Sequence, residues 1–340
     1  MAKTVVKVAA AALALSTALS IGGCGCGFDC NNGNNNDQGP AILSLGFSDS
    51  LPEELKQVVI EVDSITFRRS GAEDIVVDTF TIEELELDNA DSFQVDLLLY
   101  RGRNQLLVID GIELNPGTYS GVLVNVLVDD INRSYVQEAD DTLKQVSVSQ
   151  GVLSLPGMAL GSGAQAFTVE FGLAQSLRFQ SLADNYLLAN DGIRVVNNAD
   201  AASLSGRVDS TLFDTVSPCD QKDEPELGNR IYLYQGTGLS NAQLADVFTT
   251  DSSTDIPAGV QAPFAVAALL QNALTGSWEY AFGYLPAGDY TMAFACDTAD
   301  DNSVEFDDLV VPLPADQVYE VSLAESEQAT CDLNDDADCP

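Results

Sequence analysis

Chemistry in this 340-residue chain must come from carboxylates, cysteines, hydroxyls and aromatic rings, because it contains no histidine. That absence excludes serine–histidine–acid triads, cysteine–histidine pairs and histidine-ligated zinc, copper or haem. Carboxylates are abundant, with 52 acidic residues against 14 basic ones. In Cys331-Asp332-Leu333-Asn334-Asp335-Asp336-Ala337-Asp338-Cys339, the oxygens of Asp332, Asn334 and Asp336 alternate like the first ligands of a calcium loop, with Asp338 behind them. Ala337 stands where such a loop needs glycine, and no bidentate glutamate follows in this sequence. A second acidic run, from Asp297 to Asp308, has oxygen ligands but no recognised spacing. Calcium is the one cofactor this pattern suggests, and a solvated acidic surface is the alternative. A carboxylate pair could also serve glycosidase chemistry, but with so many acids nearly any fold supplies one. No catalytic residue is therefore assigned, and a non-enzyme is predicted.

Trp278, Tyr280, Phe282 and Tyr284 alternate along one segment, so as a strand they share a face. Turned outward, Trp278, Tyr280 and Tyr284 would make a platform for stacking sugars; turned inward, they are core. Ser277, Glu279, Ala281 and Gly283 on the other face are better suited to water, which favours the inward arrangement. Arg68, Arg69, Arg101 and Arg103 form the basic clusters of an otherwise acidic chain. A formal net charge of −38 repels phosphate backbones, so nucleic acid is not an expected partner.

The N-terminus states an address. Lys3 and Lys7 precede an apolar run from Val8 to Leu19, and Ile21-Gly22-Gly23-Cys24 follows. The run is too short for a membrane span and reads as an export signal over 1–23. The segment ending in Cys24 resembles a bacterial lipobox, which implies cleavage before Cys24, its acylation (palmitate among the acyl chains) and a membrane partner through that anchor. Gly25 rather than aspartate beside it implies the outer membrane. Cleavage without acylation would instead release a soluble protein. Residues 24–40, rich in asparagine and glycine, read as a flexible tether. Six cysteines remain, and an even number in an exported chain favours disulfides. The expected pairs are Cys219 with Cys296, Cys331 with Cys339, and Cys26 with Cys30.

Two echoing stretches position everything else: Leu114-Asn115-Pro116-Gly117-Thr118-Tyr119 and Leu285-Pro286-Ala287-Gly288-Asp289-Tyr290. Proline fixes φ, glycine permits a positive φ, and the tyrosine hydroxyl can bond back to the corner, as in the tyrosine corner of β-sandwiches. Alternating apolar segments surround both corners. They include Ile42–Phe47, Val58–Phe67, Val122–Val128, Phe167–Phe171 and Ile193–Val196 in the first part, and Ser203–Val208, Ile231–Tyr234, Leu309–Val311 and Val318–Leu323 in the second. The prediction is an all-β chain of two consecutive immunoglobulin-like or prealbumin-like β-sandwich domains, 41–198 and 203–325, with an acidic tail over 326–340.

The opening strand with Ser48-Asp49-Ser50, the strand Val59–Phe67, the Leu114 corner, Phe167–Phe171 and the closing Ile193-Arg194-Val195-Val196 together resemble the bacterial and archaeal family catalogued as domain of unknown function 4382. The resemblance covers about 41–198 and implies a secreted lipoprotein, with no activity to carry over. Ser203-Leu204-Ser205-Gly206-Arg207-Val208, Tyr232-Leu233-Tyr234 and the Leu285 corner are similar to prealbumin-like modules of carboxypeptidase regulatory type. The expected function is a non-catalytic, lipid-anchored binding or structural module of the cell envelope, with an envelope protein or polysaccharide as partner. A carbohydrate-binding accessory protein and a calcium-dependent adhesion module are the alternatives.

Overall fold

The computed structural model describes residues 39–49, 55–250, 252–334 and 339–340. Cys24, the tether up to residue 38, the Cys26–Cys30 pair, Asp336 and Asp338 lie outside the described residues.

The first half is framed by β1 (Ala41–Ser48), β2 (Leu55–Arg68), β3 (Leu106–Leu114), β4 (Gly121–Val126), β5 (Gly163–Phe171) and β6 (Ile193–Asn197). A four-stranded sheet runs in the order β6-β5-β1-β3. Within it β1 and β5 are parallel, with Ser48 opposite Glu170, and β6 is antiparallel to β5, with Arg194 opposite Glu170. A nine-stranded sheet is built around the long β2, which pairs with β4 through Val62–Arg68 and with Tyr135–Glu138 near its start. Side chains alternate between faces of a strand, so Leu43, Leu45 and Phe47 point one way with Phe167, Val169 and Phe171. All six are buried in one core with Val62, Phe67, Phe93 and Tyr119. Each such side chain contributes about 1.5–3 kcal/mol by leaving water.

The second half contains β7 (Ala202–Val208), β8 (Arg230–Gln235), β9 (Trp278–Leu285), β10 (Gly288–Ala295) and β11 (Val318–Leu323). One four-stranded sheet centres on β9 and β7, the other on β8 and β10 with β11 at its edge. Leu204, Ile231, Leu233, Phe282, Met292 and Phe294 fill the space between them. The chain is thus all-β, with a two-sheet sandwich in its second half.

Both corners form. The Tyr119 hydroxyl donates to the Asn115 carbonyl at 2.9 Å, and that of Tyr290 to Pro286 at 2.7 Å. Gly117 has a φ of 141°, a backbone conformation that favours glycine. Cys219 pairs with Cys296 inside the second core, and Cys331 with Cys339 at its edge.

One expected strand is absent. Leu309–Val311 is irregular: the Leu309 N–H donates to the Asp246 carboxylate at 2.9 Å, and Val310 is exposed. A short apolar run satisfied by a side chain need not join a sheet.

Candidate functional site

The two halves are joined by only four residues, 198–201, between β6 and β7, yet they are packed against each other. A Cβ on Gly283 of β9 would meet the Gly102 carbonyl oxygen at 1.7 Å, so the backbones touch where only glycine fits. Beside it Tyr284 has a φ of 48°, which breaks the alternation of β9 and turns its hydroxyl to the Arg103 carbonyl at 3.0 Å. After β5 the chain makes one helical turn, α1 (Leu173–Ser176), from which Gln175 donates to the Pro263 carbonyl at 2.8 Å. Arg194 of β6 lies over the Phe264 ring, 4.8 Å from its centre.

Alongside this junction opens a cleft of about 920 Å³. Its first-half wall includes Asp49, Leu99, Arg101 and Asn104; its second-half wall includes Arg207, Asn272, Glu279 and Asp332. Burial lowers the Arg101 pKa, against the pull of the Asp49 carboxylate. Ser277 and Asn272 donate to the Glu279 carboxylate, which with Arg207 nearby holds its pKa below the usual range. The cleft thus offers fixed amides and both signs of charge.

The aromatic face of β9 is not a single platform. Tyr280 is buried, with its hydroxyl donating to the Cys331 carbonyl at 2.7 Å, and Phe282 is core. Tyr284 is buried on the other side, against the first half. Ala281 and Gly283, read as solvent-tolerant, face that half too. Only Trp278 is half-buried; Phe213 meets it edge to face at 5.5 Å, and both line a second cleft of about 570 Å³ with Ser210, Asp214, Glu224 and Gln271.

The acidic runs are largely structural. Asp332 accepts from the Arg207 N–H at 2.8 Å, tying the tail to β7, and Asn334 also has a partner. Asp301 is buried, 3.5 Å from the Arg230 guanidinium, and accepts from the Tyr232 hydroxyl at 2.6 Å and the Val247 N–H at 3.2 Å. Burial pushes its carboxyl up to about 6 despite Arg230. Asp246 accepts from the Asp307 and Leu309 N–H groups, both at 2.9 Å, and Glu305 from the Ser253 N–H at 2.7 Å. Among the described residues no three metal-ligating side chains converge.

Sequence reasoning missed Glu170 and Arg194. Glu170 alternates with Phe167, Val169 and Phe171 and so reads as solvent-facing, but it is fully buried at the junction, near Tyr284 of the second half. The one available signal was the small or polar set on the same face: Gly46, Ser48 and Thr168.

Comparison with known proteins places residues 40–189 in a match to the family described as "Domain of unknown function (DUF4382)". The match stops before β6. No curated protein matches the chain. Among solved structures, the Bacillus anthracis TIE protein is similar at 10% identity over 87% of this chain and 34% of its own length, with a TM-score of 0.18. This chain therefore spans about a third of that protein. A Bacteroides fragilis protein assigned provisionally to cell adhesion aligns over 89% of this chain and 96% of its own, at 10% identity and a TM-score of 0.22. A Bacteroides ovatus fimbrial protein aligns over 88% and 49%, at 9% identity and 0.17. At such scores no argument about function carries over from them.

Proposed function

We propose that this protein is a non-catalytic binding module of the bacterial cell envelope. In this reading acylated Cys24 anchors it in the outer membrane, 41–198 and 203–325 are its two β-sandwich domains, and its partner is an envelope protein or polysaccharide. The observation that carries the reading is the cleft of about 920 Å³ whose walls come from both halves. A concave site with fixed amides and charges loses little freedom on binding, because its walls are already held by the junction. The match of residues 40–189 to a family without assigned activity and the two disulfides are compatible with an exported, non-enzymatic role.

The test uses the mature chain against purified envelope polysaccharides and envelope protein fractions. Binding should weaken about tenfold or more when Asn104→Ala and Asn272→Ala are combined. Unchanged binding in that variant rejects the cleft, and turnover of a bound ligand rejects the non-catalytic role. Labelling with palmitate should mark the native chain and spare Cys24→Ala; no label on either rejects the anchor. A second reading, carbohydrate binding at the smaller cleft, is favoured by the half-buried Trp278 beside Ser210 and Gln271. There Trp278→Ala should abolish polysaccharide binding that the paired asparagine variant leaves intact.

A further inference from the structure

The outward face of the β6-β5-β1 sheet ends in an unusual layer. In register across three strands stand Ser48, Glu170 and Arg194, and beside them Gly46, Thr168 and Val196. They lie on the face opposite the core, where first-half groups already cover part of the layer, the Tyr100 and Gly102 carbonyls at Ser48 and the Gln105 side chain at Gly46 and Thr168. From the second half, Tyr284 adjoins Glu170 and Phe264 adjoins Arg194, and Glu170 has no exposed surface. Neither of its carboxylate oxygens has a hydrogen-bond partner. The Ser48 hydroxyl points to the Tyr100 and Gly102 carbonyls, at 3.3 and 3.4 Å. Arg194, whose charge could compensate, forms no salt bridge with it and is drawn to the second half, lying over Phe264 with Nη1 donating to the Phe264 carbonyl at 3.5 Å.

A carboxylate without donors in a dry place is far costlier than a neutral carboxylic acid, which needs less solvation. We propose that Glu170 is a proton-operated latch on the junction: holding a proton it lets the second half seat on the sheet, and releasing that proton to solvent loosens the seat by drawing water in.

Asp49, Tyr284 and Tyr290 stand around the pair, with the Arg101 and Arg103 guanidiniums beside the first two. Just past β1, Asp49 lies next to Ser48 and is bridged to Arg101, and its carboxylate accepts from the Leu173 N–H at 3.3 Å. On β9 the Tyr284 phenol is neutral, raised by burial and by Glu170 itself, with Arg103 opposing. On β10 the Tyr290 phenol near Arg194 is pushed up to about 12, so it too stays neutral. Burial pushes the Glu170 carboxyl up to about 7, with Arg194 and then Ser48 pulling it down. Since its ordinary value is 4.5, the sign is fixed: the junction is tightest below pH 4.5 and loses this contribution as pH rises through 7. The latch is independent of what the cleft binds, although Asp49 belongs to both and loosening would widen the cleft.

Amide hydrogen exchange on the mature chain, corrected for intrinsic rates, tests it. Protection of 193–197 and 263–268 should fall by about fortyfold between pH 5 and pH 7. In Glu170→Gln, which keeps the shape without the proton, it should not change over that range. Arg194→Met should move the midpoint upward, because the guanidinium now favours the ionised form; this arm decides should Glu170→Gln not fold. A flat profile in the native chain, an equal fall in Glu170→Gln, or an unmoved midpoint in Arg194→Met overturns the latch. Ligand binding plays no part in these readouts, so they stand apart from the test of the binding function.

Discussion

Glu170 and Asp301 are both buried carboxyls whose pKa burial raises, one at the junction and one among the acidic loops of the second half, and their partners differ completely. Asp301 has the Arg230 guanidinium, the Tyr232 hydroxyl and the Val247 N–H around it. Neither Glu170 oxygen has a hydrogen-bond partner, and only the Arg194 charge and the neighbouring Ser48 hydroxyl pull on it. A buried charge with all its lone pairs engaged is a fixed part of the fold, whereas one without donors is a point where the structure can yield. Burial alone therefore does not say whether an acid is structural. The count of its donors does.

The largest test of this contrast is Asp301→Ala. It strands two buried donors and removes the carboxylate that Arg230 faces, so it should cost about 3–5 kcal/mol in urea unfolding at pH 4, and about 2 kcal/mol less at pH 8, where the native chain must hold the raised Asp301 carboxyl ionised. Glu170→Gln should act oppositely. With a native-state value of about 7 against an ordinary 4.5, the ionised side chain opposes folding above neutrality. At pH 8.5 the variant should be about 3 kcal/mol more stable than the native chain, and at pH 4 about equal to it. A destabilised Glu170→Gln at pH 8.5 would mean that water or a rearranged Arg194 already solvates the carboxylate, and the two acids would then be alike.

The contrast also marks where the sequence was legible. Both corners, most strands and two disulfides follow from local residue types, because a turn or a strand is decided within a few positions. Glu170 went unnoticed because alternation reports only which face a residue occupies, not what docks on that face. For the same reason Ala281 and Gly283 looked solvent-tolerant when their smallness serves the contact with Gly102. Asp301 was lost in a run of acids that read as surface, since nothing local reveals that Tyr232 and Arg230 will surround it. The strand Leu106–Leu114 was missed as well: Gly111, with a φ of 72°, interrupts its pattern beside the shifts in register between β1 and β3. For the candidate site, Trp278 was found and the cleft was not, because its walls are about 100 to 280 positions apart in sequence.

The smallest effect separates local from tertiary roles at the corners. Tyr119 and Tyr290 make the same bond to a carbonyl four residues back, so Tyr119→Phe and Tyr290→Phe should each cost about 1 kcal/mol. Their surroundings differ: Tyr119 lies under Arg69 within the first half, whereas Tyr290 lies beside Phe264 and near Arg194 at the junction. Burial keeps both phenols protonated through neutral pH, so neither change should alter the pH profile of junction exchange. Measuring the two variants from pH 5 to pH 8 checks this. If Tyr290→Phe flattened the profile as Glu170→Gln should, the response would belong to the setting of Arg194 and not to the proton on Glu170. If it kept the profile while losing the same stability as Tyr119→Phe, the corner would be a local device and the carboxyl the only tertiary one.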